Sequence, residues 1–340
     1  MRAITYTRHG DPSVLELVER ATPEPGVGEI RIRVLASGVN PTDWKSRSGG
    51  YGRALTEQAV PNQDGAGIVD DTGPGVDGLA PGDRVWVTLA ADGRPASGTA
   101  QEYTVVPAER AFPLPREADF ELGASIGIPG VTAHRALTVA EDGPTRLQPN
   151  ALGERTVLVA GGAGAVGNAA IQLARWAGAT VIATVSGDAK ARLATAAGAH
   201  QVVNYKRAGA AKEIRRAAPD GVDLVVEVAA GANADIDQAV LRPRGTISIY
   251  ANDGAAPFNL DVRRNMGLNT RYQFILLYTV GWERIAAAAL DINRAIEDGA
   301  FHVGEEFGLP LHRFDLEDTG AAHSAVENGT VGKVLISVGG

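Results

Sequence analysis

Hydrophobic and polar residues alternate with a period of two in the first third of the chain. In the run from Ile30 to Val34, apolar side chains at 30, 32 and 34 are separated by arginines, as on a strand with one buried face. Similar short runs follow at residues 65–69, 84–87 and 102–106, and turns rich in Pro and Gly separate them. This pattern predicts a small β barrel or sandwich.

From residue 156 onward the pattern changes to apolar runs that alternate with segments of helical composition. Strands are predicted at residues 156–160, 180–185, 201–204, 224–228 and 245–250, and helices at 167–177, 189–197 and 212–217. Strands separated by helices imply a parallel sheet with helices on both faces. We therefore predict an α/β protein in which a β domain accompanies a doubly wound domain.

The last part of the chain returns to strand patterns. Residues 310–314 and 332–336 are predicted strands able to rejoin the first β domain, and a helix at 282–298 ends at Gly299. The apolar run from Tyr272 to Tyr278 is also a predicted strand. An exposed edge this hydrophobic needs a partner, which is either a second copy of the chain in a homodimer or a helix of the same chain.

The composition of the chain excludes several classes of function. The 340 residues, 44% hydrophobic and 21% charged, are typical of a globular protein of two domains. Forty acidic and 32 basic residues are scattered, so no basic cluster indicates a nucleic-acid partner. The absence of Cys excludes disulfides, thiolate nucleophiles and cysteine-ligated zinc. With no visible signal peptide and no apolar run of membrane length, we expect a cytoplasmic protein without membrane contact.

A glycine-rich turn joins the predicted strand at 156–160 to the following helix. The turn consists of Gly162, Ala163, Gly164, Ala165, Val166 and Gly167. In this strand–turn–helix context, Gly162 makes the tight turn, Gly164 admits a pyrophosphate, and Gly167 allows the helix to pack closely on the strand. The helix N-terminus offers free N–H groups to phosphates. The motif therefore predicts a bound dinucleotide.

The end of the second strand of this unit distinguishes NADPH from NADH. An NAD site usually has an acidic residue there, about 20 residues after the glycines, whereas this chain has Val185 and Ser186. Ser186 can donate a hydrogen bond to a 2′-phosphate, Lys190 can supply charge, and Tyr205 can cover it. Asp188 is interpreted as the N-cap of the next helix rather than a ribose ligand. We predict NADPH as the cofactor.

Several segments of the chain resemble those of the zinc-free quinone oxidoreductase branch of the medium-chain dehydrogenase/reductase superfamily. They lie, in this order, at residues 36–43, 64–69, 82–85, 98–103, 161–167, 204–205 and 332–334. The resemblance runs along nearly the whole chain. It implies a GroES-like catalytic domain made of residues 1–125 and 300–340, a Rossmann domain over residues 126–299, and an active site in the cleft between them.

The resemblance also indicates whether the chain has the ligands of a zinc site. Zinc-dependent members of the superfamily carry Cys where this chain has Asn40, and a His-Glu pair where it has Gln63 and Asp64. The six histidines show no ligand spacing either. We therefore expect no metal site. Without a Lewis acid, conjugated carbonyls are better substrates than alcohols, because hydride adds to a carbon whose negative charge delocalises onto oxygen.

The resemblance places Asn40, Asp43, Lys45 and Tyr51 around the cleft as the catalytic candidates. The Asn40 amide and the Tyr51 hydroxyl are possible donors to the developing oxyanion, and Lys45 is a possible positive charge. Asp43 either orients its neighbours or caps the turn after Pro41. Solvent is an alternative source of the proton.

Further cofactor contacts follow from position in the resemblance and from the rule that ligands bind at the carboxyl ends of parallel strands. These candidates, with Asn40 again among them, are Thr132, Ala229, Tyr250, Ala251, Phe274, Leu276, Gly332 and Lys333. For Lys333 the alternative is a solvated lysine at the start of a strand.

The function predicted from these observations is an NADPH-dependent, metal-free reductase of quinones or related conjugated carbonyls. One alternative is an enoyl-thioester or alkenal reductase of a biosynthetic pathway. A thioester reductase handling coenzyme A should show a basic patch near the cleft mouth, a question that Lys45, Arg47 and Arg53 leave open. The other is an NADPH-binding protein with little turnover.

Overall fold

The computed structural model describes residues 1–52, 55, 57–254 and 256–339. The strands are β1 (Arg2–Thr5), β2 (Glu16–Glu19), β3 (Glu29–Val39), β4 (Asp64–Thr72), β5 (Arg84–Val87), β6 (Tyr103–Pro107), β7 (Ala111–Pro113), β8 (Thr156–Ala160), β9 (Thr180–Val185), β10 (Gln201–Asn204), β11 (Val222–Glu227), β12 (Leu241–Ile249), β13 (Arg271–Phe274), β14 (Leu311–Asp315) and β15 (Lys333–Ser337). The helices are α1 (Pro41–Ser48), α2 (Phe120–Leu137), α3 (Ala165–Trp176), α4 (Asp188–Ala196), α5 (Ala210–Ala217), α6 (Ala230–Val240), α7 (Val262–Leu268), α8 (Trp282–Glu297) and α9 (Thr319–Glu327).

The first of two compact units comprises Met1–Ile128 and Leu311–Gly340 and is called unit 1 below. Its main sheet has the order β14-β15-β3-β4-β5-β7, and β6 pairs with β3. The period-two pattern places Ile30 and Ile32 in the core while Arg33 is exposed. Since β15 runs antiparallel to β3, the end of the chain joins the sheet that its beginning forms.

The second unit, Pro129–Pro310, is called unit 2. Its sheet is parallel and has the order β10-β9-β8-β11-β12-β13. This is the doubly wound order 3-2-1-4-5-6. The order of the strands reverses between β8 and β11, because β9 and β10 are added on one side of β8 and β11 is added on the other. Ligands of such sheets bind at the carboxyl ends of the strands near that reversal. The predicted combination of a GroES-like β domain and a Rossmann domain is confirmed.

The unit boundaries differ from those predicted. The compact units divide after Ile128 and after Pro310, whereas the sequence predicts changes at 125/126 and 299/300. Residues 300–310 belong with unit 2, because α3 binds them: Asn168 Nδ2 donates to Phe307 O at 2.8 Å, and Gln172 Nε2 donates to His302 O at 2.9 Å. Short side-chain bonds of this kind leave no periodic signal in the sequence.

The predicted strand from Tyr272 to Tyr278 is wrong in its second half. Strand β13 ends at Phe274, and a short 3₁₀ turn covers Leu277–Thr279. Ile275 N still bonds Ile249 O at 2.8 Å, after which Thr279 N bonds back to Leu276 O at 2.9 Å and closes the turn. Apolar residues continue past the strand because Ile275 and Leu277 are buried inside unit 2.

Candidate cofactor and active site

The glycine turn lies between β8 and α3, as predicted, but the helix begins earlier, at Ala165, with Gly164 as its N-cap. A Cβ on Gly167 would lie 2.3 Å from Gly161 O, and one on Gly162 would lie 2.9 Å from Ala183 Cβ. A Cβ on Gly164 would approach only Gly161 O, at 3.4 Å. Gly162 and Gly167 therefore permit close packing, while Gly164, the N-cap of α3, has only one ordinary van der Waals neighbour.

The predicted adenosine contacts lie together at the neighbouring strand ends. Ser186 follows β9, Lys190 lies in the first turn of α4, and Tyr205 follows β10 with its N–H bonded to Val185 O at 3.1 Å. Tyr205 is 38% exposed, so its ring is available to a ligand. The structure thus brings a hydroxyl donor, a cation and a ring to one edge of the sheet.

Asp188 does not cap α4 as predicted. The cap position belongs to Gly187, and Asp188 is the first helical residue, with an exposed side chain. Its carboxylate instead binds a cation that sequence reasoning missed: Arg207 Nη2 lies 3.1 Å from Asp188 Oδ1. Arg207 stands two residues after Tyr205, and that proximity was the only available signal.

The remaining predicted contacts of unit 2 lie at the carboxyl ends of β11, β12 and β13. Ala229 is the N-cap of α6, and Tyr250 N donates to Glu227 O at 3.1 Å. A cavity of about 390 Å³ opens here; it is lined by Ala230, Ile249, Tyr250, Ala251, Asn252, Phe258, Phe274, Ile275, Leu276 and Thr279. The mostly apolar lining suits a flat aromatic group. Thr132 lies elsewhere in unit 2: it does not begin a helix, since α2 runs on to Leu137 through Pro129.

Two buried carboxyls, Glu227 and Asp237, lie beneath these strand ends. Glu227 Oε1 accepts from Ala229 N and from Asn233 Nδ2, the latter at 2.9 Å. Glu227 Oε2 and Asp237 Oδ2 have no N–H or O–H donor among the described residues, and the two carboxyls pair with each other. Burial, reinforced by Glu227, raises the pKa of Asp237 well above its usual value. A shared proton accounts for the pair.

In unit 1, Asn40 is the centre of a buried cluster. Lys333 Nζ donates to Asn40 Oδ1 at 2.7 Å, and Asn40 Nδ2 donates to Asp64 Oδ2 at 2.7 Å. The ammonium also lies 3.6 Å from Asp64 Oδ2. Asn40, Asp64 and Lys333 are at most 2% exposed. The lysine is therefore not solvated at a strand start, and its charge is already engaged within unit 1.

Further donors complete the surroundings of Asp64. Ile128 N donates to both carboxylate oxygens, at 2.9 and 2.8 Å, and Thr88 Oγ1 donates to Oδ1 at 3.3 Å. Burial raises the pKa of Asp64, whereas Lys333, Asn40, Ile128 and Thr88 act to lower it. For Lys333, burial lowers the pKa, and the aspartates counteract it. The donors identify Asp64 as an ionised carboxylate held beside its counterion.

Asp43 lies beside this cluster at the start of α1. Its Oδ2 accepts from Asn40 N at 2.7 Å, and its Oδ1 accepts from Gln63 N at 3.1 Å. Burial and the nearby Asp64 raise the pKa of Asp43 to about 7. The N-cap of α1 is Asn40, and Asp43 is the third residue of the helix, from which its carboxylate holds the backbone N–H groups of Asn40 and Gln63.

Two glycines make room for the cluster. A Cβ on Gly38 would lie 2.0 Å from Ala124 O and 3.0 Å from Lys333 Cε. A Cβ on Gly127 would lie 2.2 Å from Asp64 Oδ1. Since neither approach is sterically possible, glycine is required at both positions.

The other predicted residues of unit 1 lie at or near its surface. Lys45 Nζ is 5.7 Å from the ring centroid of Trp44, and Tyr51, which is 49% exposed, donates its hydroxyl to Thr42 Oγ1 at 3.3 Å. Gly332 precedes β15 with a left-handed φ of 118°. Arg47 offers no surface charge: it is fully buried and pairs with Glu327 at 2.7 Å. Arg53 lies outside the described residues, and of the other two basic residues only Lys45 is not buried.

The cluster contains one functional group that the sequence did not single out, the carboxyl of Asp64. Asp64 was noted only as the replacement of a zinc ligand, and its pairing with Lys333 joins positions 269 residues apart in the chain, 64 and 333. A lysine at the head of the apolar run 334–336, with glycine at 38 and 127, is the pattern that indicates a buried charge.

No helix of the described residues has the length and hydrophobicity to span a membrane.

Comparison with known proteins identifies relatives along the full length. Two family models match: the alcohol dehydrogenase GroES-like domain over residues 26–116 and the zinc-binding dehydrogenase over residues 165–292. The quinone oxidoreductase of Rattus norvegicus is 32% identical over 342 residues, covering 99% of this chain and 97% of its own.

Solved structures agree. A mycobacterial protein complexed with NADPH is 31% identical, with a TM-score of 0.82, over 99% of each chain. The quinone oxidoreductase of Escherichia coli complexed with NADPH is 26% identical, with a TM-score of 0.81, over 99% of this chain and 100% of its own.

Proposed function

Because the chain belongs to the zinc-free quinone oxidoreductase branch of the medium-chain dehydrogenase/reductase superfamily, we propose that it transfers hydride from NADPH to quinones or related conjugated carbonyls without a metal ion. The protein is an oxidoreductase. The relatives named for quinone reduction match it from end to end, which supports the substrate class.

The residues of unit 2 fit NADPH. The open approach to Gly164 leaves room for a pyrophosphate against the N-terminus of α3. Ser186 and Lys190 supply a hydroxyl and a cation where a 2′-phosphate would lie, and the nearest carboxylate, Asp188, is already paired with Arg207. When bound, the cofactor supplies the hydride.

The residues of unit 1 do not fit zinc. The positions of the zinc ligands hold Asn40, Gln63 and Asp64, and the described residues contain no group of three or more His, Cys, Asp or Glu able to hold a metal ion. Moreover, the ammonium of Lys333 occupies the free side of Asn40 Oδ1 and lies beside Asp64. A second cation beside this ammonium would be repelled. This donor set is the observation that carries the proposal, because it leaves reductive addition to conjugated carbonyls as the metal-free chemistry.

The roles of the chain's own groups follow from this. Negative charge develops on the acceptor oxygen during hydride transfer, and hydrogen-bond donors fixed beforehand stabilise it most. Asn40 has one N–H beyond the bond it makes to Asp64, and the Tyr51 hydroxyl would exchange its bond to Thr42 for one to the acceptor oxygen. Lys45 adds positive charge near Tyr51 on the same segment. Solvent supplies the final proton to the reduced product.

The test is an assay of NADPH oxidation, followed at the absorbance band of the reduced nicotinamide, with quinones, simple enones and enoyl thioesters in parallel. We expect turnover with quinones that is unchanged after metal chelation. Turnover with enoyl thioesters alone would instead favour the biosynthetic reductase, and tight NADPH binding with no turnover would leave a binding protein. Loss of activity on chelation would contradict the metal-free mechanism.

Cofactor choice is tested by Lys190→Ala. Loss of a charge-assisted contact should weaken NADPH binding by about 1–3 kcal/mol more than NADH binding, measured by titration of each dinucleotide. Lys212→Ala, an exposed lysine on α5, is the matched control. Equal weakening for both dinucleotides would show that Lys190 does not contact the 2′-phosphate.

We propose a homodimer through the edge strand β13. This strand ends the sheet order of unit 2, and Phe274 and Leu276 beside it are 65% and 55% exposed. An uncovered edge with apolar side chains is stabilised by pairing with a second copy. Light scattering should give twice the chain mass, and Phe274→Asp should shift it toward the monomer; a wild-type monomer at micromolar concentration would refute the dimer.

A further inference from the structure

We propose that Lys333 is a positioning residue, whose ammonium fixes the amide of Asn40 in the orientation needed to donate a hydrogen bond to the substrate. The inference rests on the proposed function, because it assigns a partner to the donor named there. It differs from the cofactor contact that family resemblance suggests for Lys333.

The orientation of the Asn40 amide follows from its two partners. An ammonium can only donate, so the atom 2.7 Å from Lys333 Nζ must be the amide oxygen. A carboxylate ionised beside an ammonium can only accept, so the atom 2.7 Å from Asp64 Oδ2 must be the amide nitrogen. A flipped amide would face a donor with a donor and an acceptor with an acceptor. Lys333 and Asp64 together therefore exclude the flipped state.

The backbone of Asn40 is held as firmly as its side chain. Asp43 accepts from Asn40 N at 2.7 Å, and Asp43 N in turn bonds Asn40 O at 3.0 Å. With both ends fixed, the second N–H of the Asn40 amide has a defined direction. Preorganised donors of this kind contribute most to catalysis because they need no reorganisation as charge develops.

The space around the cluster also fits the end of a lysine side chain. Gly38 leaves the space that the end of the lysine occupies, since a Cβ there would lie 3.0 Å from Lys333 Cε and 3.1 Å from Nζ. The ammonium lies 3.6 Å from Asp64 Oδ2 and also interacts electrostatically with Asp43. A neutral side chain without a donor, such as that of Met, fills the space but cannot donate to the amide oxygen.

The experiment compares four variants: Lys333→Met, Lys333→Arg, the double variant Asp64→Asn with Lys333→Met, and the exposed control Lys212→Met. Steady-state kinetics with NADPH and a quinone give kcat and each KM, and [4-²H]NADPH gives the isotope effect on hydride transfer. Selective ¹⁵N-asparagine labelling, assigned with Asn40→Asp, follows the exchange of the Asn40 side-chain amide without any substrate.

We expect Lys333→Met to lower kcat by about 100-fold, as for removal of one oxyanion donor, with a larger isotope effect and an unchanged KM for NADPH. Lys333→Arg should recover part of the loss, since it restores a donor to Asn40 Oδ1. The double variant removes both charges and should fold well, yet it should stay slow, because Asn40 Oδ1 still lacks its donor. The Asn40 amide should exchange faster in both Met variants.

Three results would overturn the inference. A double variant with wild-type kcat would show that charge balance alone matters. A raised KM for NADPH with unchanged kcat would make Lys333 a cofactor ligand. Unchanged exchange of the Asn40 amide in Lys333→Met would show that the lysine does not orient it. If the wild-type enzyme reduces no acceptor, the proposed function fails, whereas the exchange measurement still decides whether Lys333 holds Asn40.

Discussion

Both units bury carboxyl groups near their functional residues, and they stabilise them in different ways. In unit 1, Asp64 is surrounded by donors and has a buried lysine beside it. In unit 2, Glu227 and Asp237 pair with each other, and Glu227 Oε2 and Asp237 Oδ2 lack N–H or O–H donors among the described residues. Burial raises the pKa of all three carboxyls.

The difference shows that burial alone does not determine the charge of an acid. Where an ammonium and several N–H donors converge, the carboxylate remains charged and fixes its neighbours. Where one oxygen of each acid has only the other acid beside it, one shared proton is the less costly solution. The charges of unit 1 are thereby available to orient Asn40, whereas the carboxyls of unit 2 hold each other.

The largest expected effect comes from removing the cation of unit 1. Lys333→Met leaves Asp64 buried without its counterion, which should lower the free energy of unfolding by about 3–5 kcal/mol. Urea unfolding measures the change, with Lys212→Met as control. The double variant with Asp64→Asn should recover most of the loss. Wild-type stability of Lys333→Met would mean that the other donors suffice and that the two units differ little.

The second largest effect is expected from filling the space that Gly38 leaves beside the buried cluster of Asn40, Asp64 and Lys333. Gly38→Ala places a Cβ 2.0 Å from a backbone oxygen and against Lys333, and overpacking of this kind costs about 1–3 kcal/mol. Gly267→Ala, in α7 with nothing within 4 Å, is the matched substitution and should be neutral or slightly stabilising. The same unfolding measurement tests both. Equal effects would show that Gly38 is not confined.

A smaller effect, with pH dependence, is expected in unit 2. Since burial raises the pKa of Glu227 and Asp237, their contribution to stability is complete below the ordinary carboxyl pKa and is lost as pH rises through the folded values. Asp237→Asn supplies a permanent donor, so it should add about 1 kcal/mol at pH 8 and flatten the dependence. Unfolding at pH 5 and pH 8 tests this against Asp235→Asn, exposed on the same helix. A parallel pH profile for the variant would mean that no proton is shared.

The smallest effect on stability is expected for an ion pair at the protein surface, where water screens both charges. Arg207 and Asp188 form an exposed pair, with side chains 69% and 79% accessible. Arg207→Ala should change the free energy of unfolding by less than about 0.5 kcal/mol, similar to Arg216→Ala, which lies exposed on α5. Thermal unfolding at low and high salt measures it. A loss above 1 kcal/mol would erase the distinction between buried and exposed pairs.

The sequence predicts the fold well where one periodicity covers a whole element. Strand β9 and strand β5 begin and end where the pattern places them, and the glycine turn lies between a strand and a helix. Prediction from the sequence fails where tertiary contacts determine the local structure. The apolar run after Phe274 turns rather than extends, because Ile275 and Leu277 find partners inside unit 2.

The candidate site divides in the same way. Residues of a contiguous motif, such as Gly162 to Gly167, are visible because their spacing follows from one turn. The partnership of Asn40, Asp64 and Lys333 is not, since it joins three distant segments through side-chain geometry. Arg47 was misread for the same reason: a basic residue on a polar helix looks exposed until Glu327 is found beside it.

Gly38 and Gly127 have a consequence for making chimaeras with homologous enzymes. Each glycine fits a particular neighbour, Lys333 for one and Asp64 for the other, and the four positions fall in four separate stretches of the chain. A crossover between any two of these stretches can combine a bulky parent residue at 38 or 127 with the charged partner of another parent. Gene-shuffling libraries should therefore inherit positions 38, 64, 127 and 333 as one block, even though they are scattered along the gene.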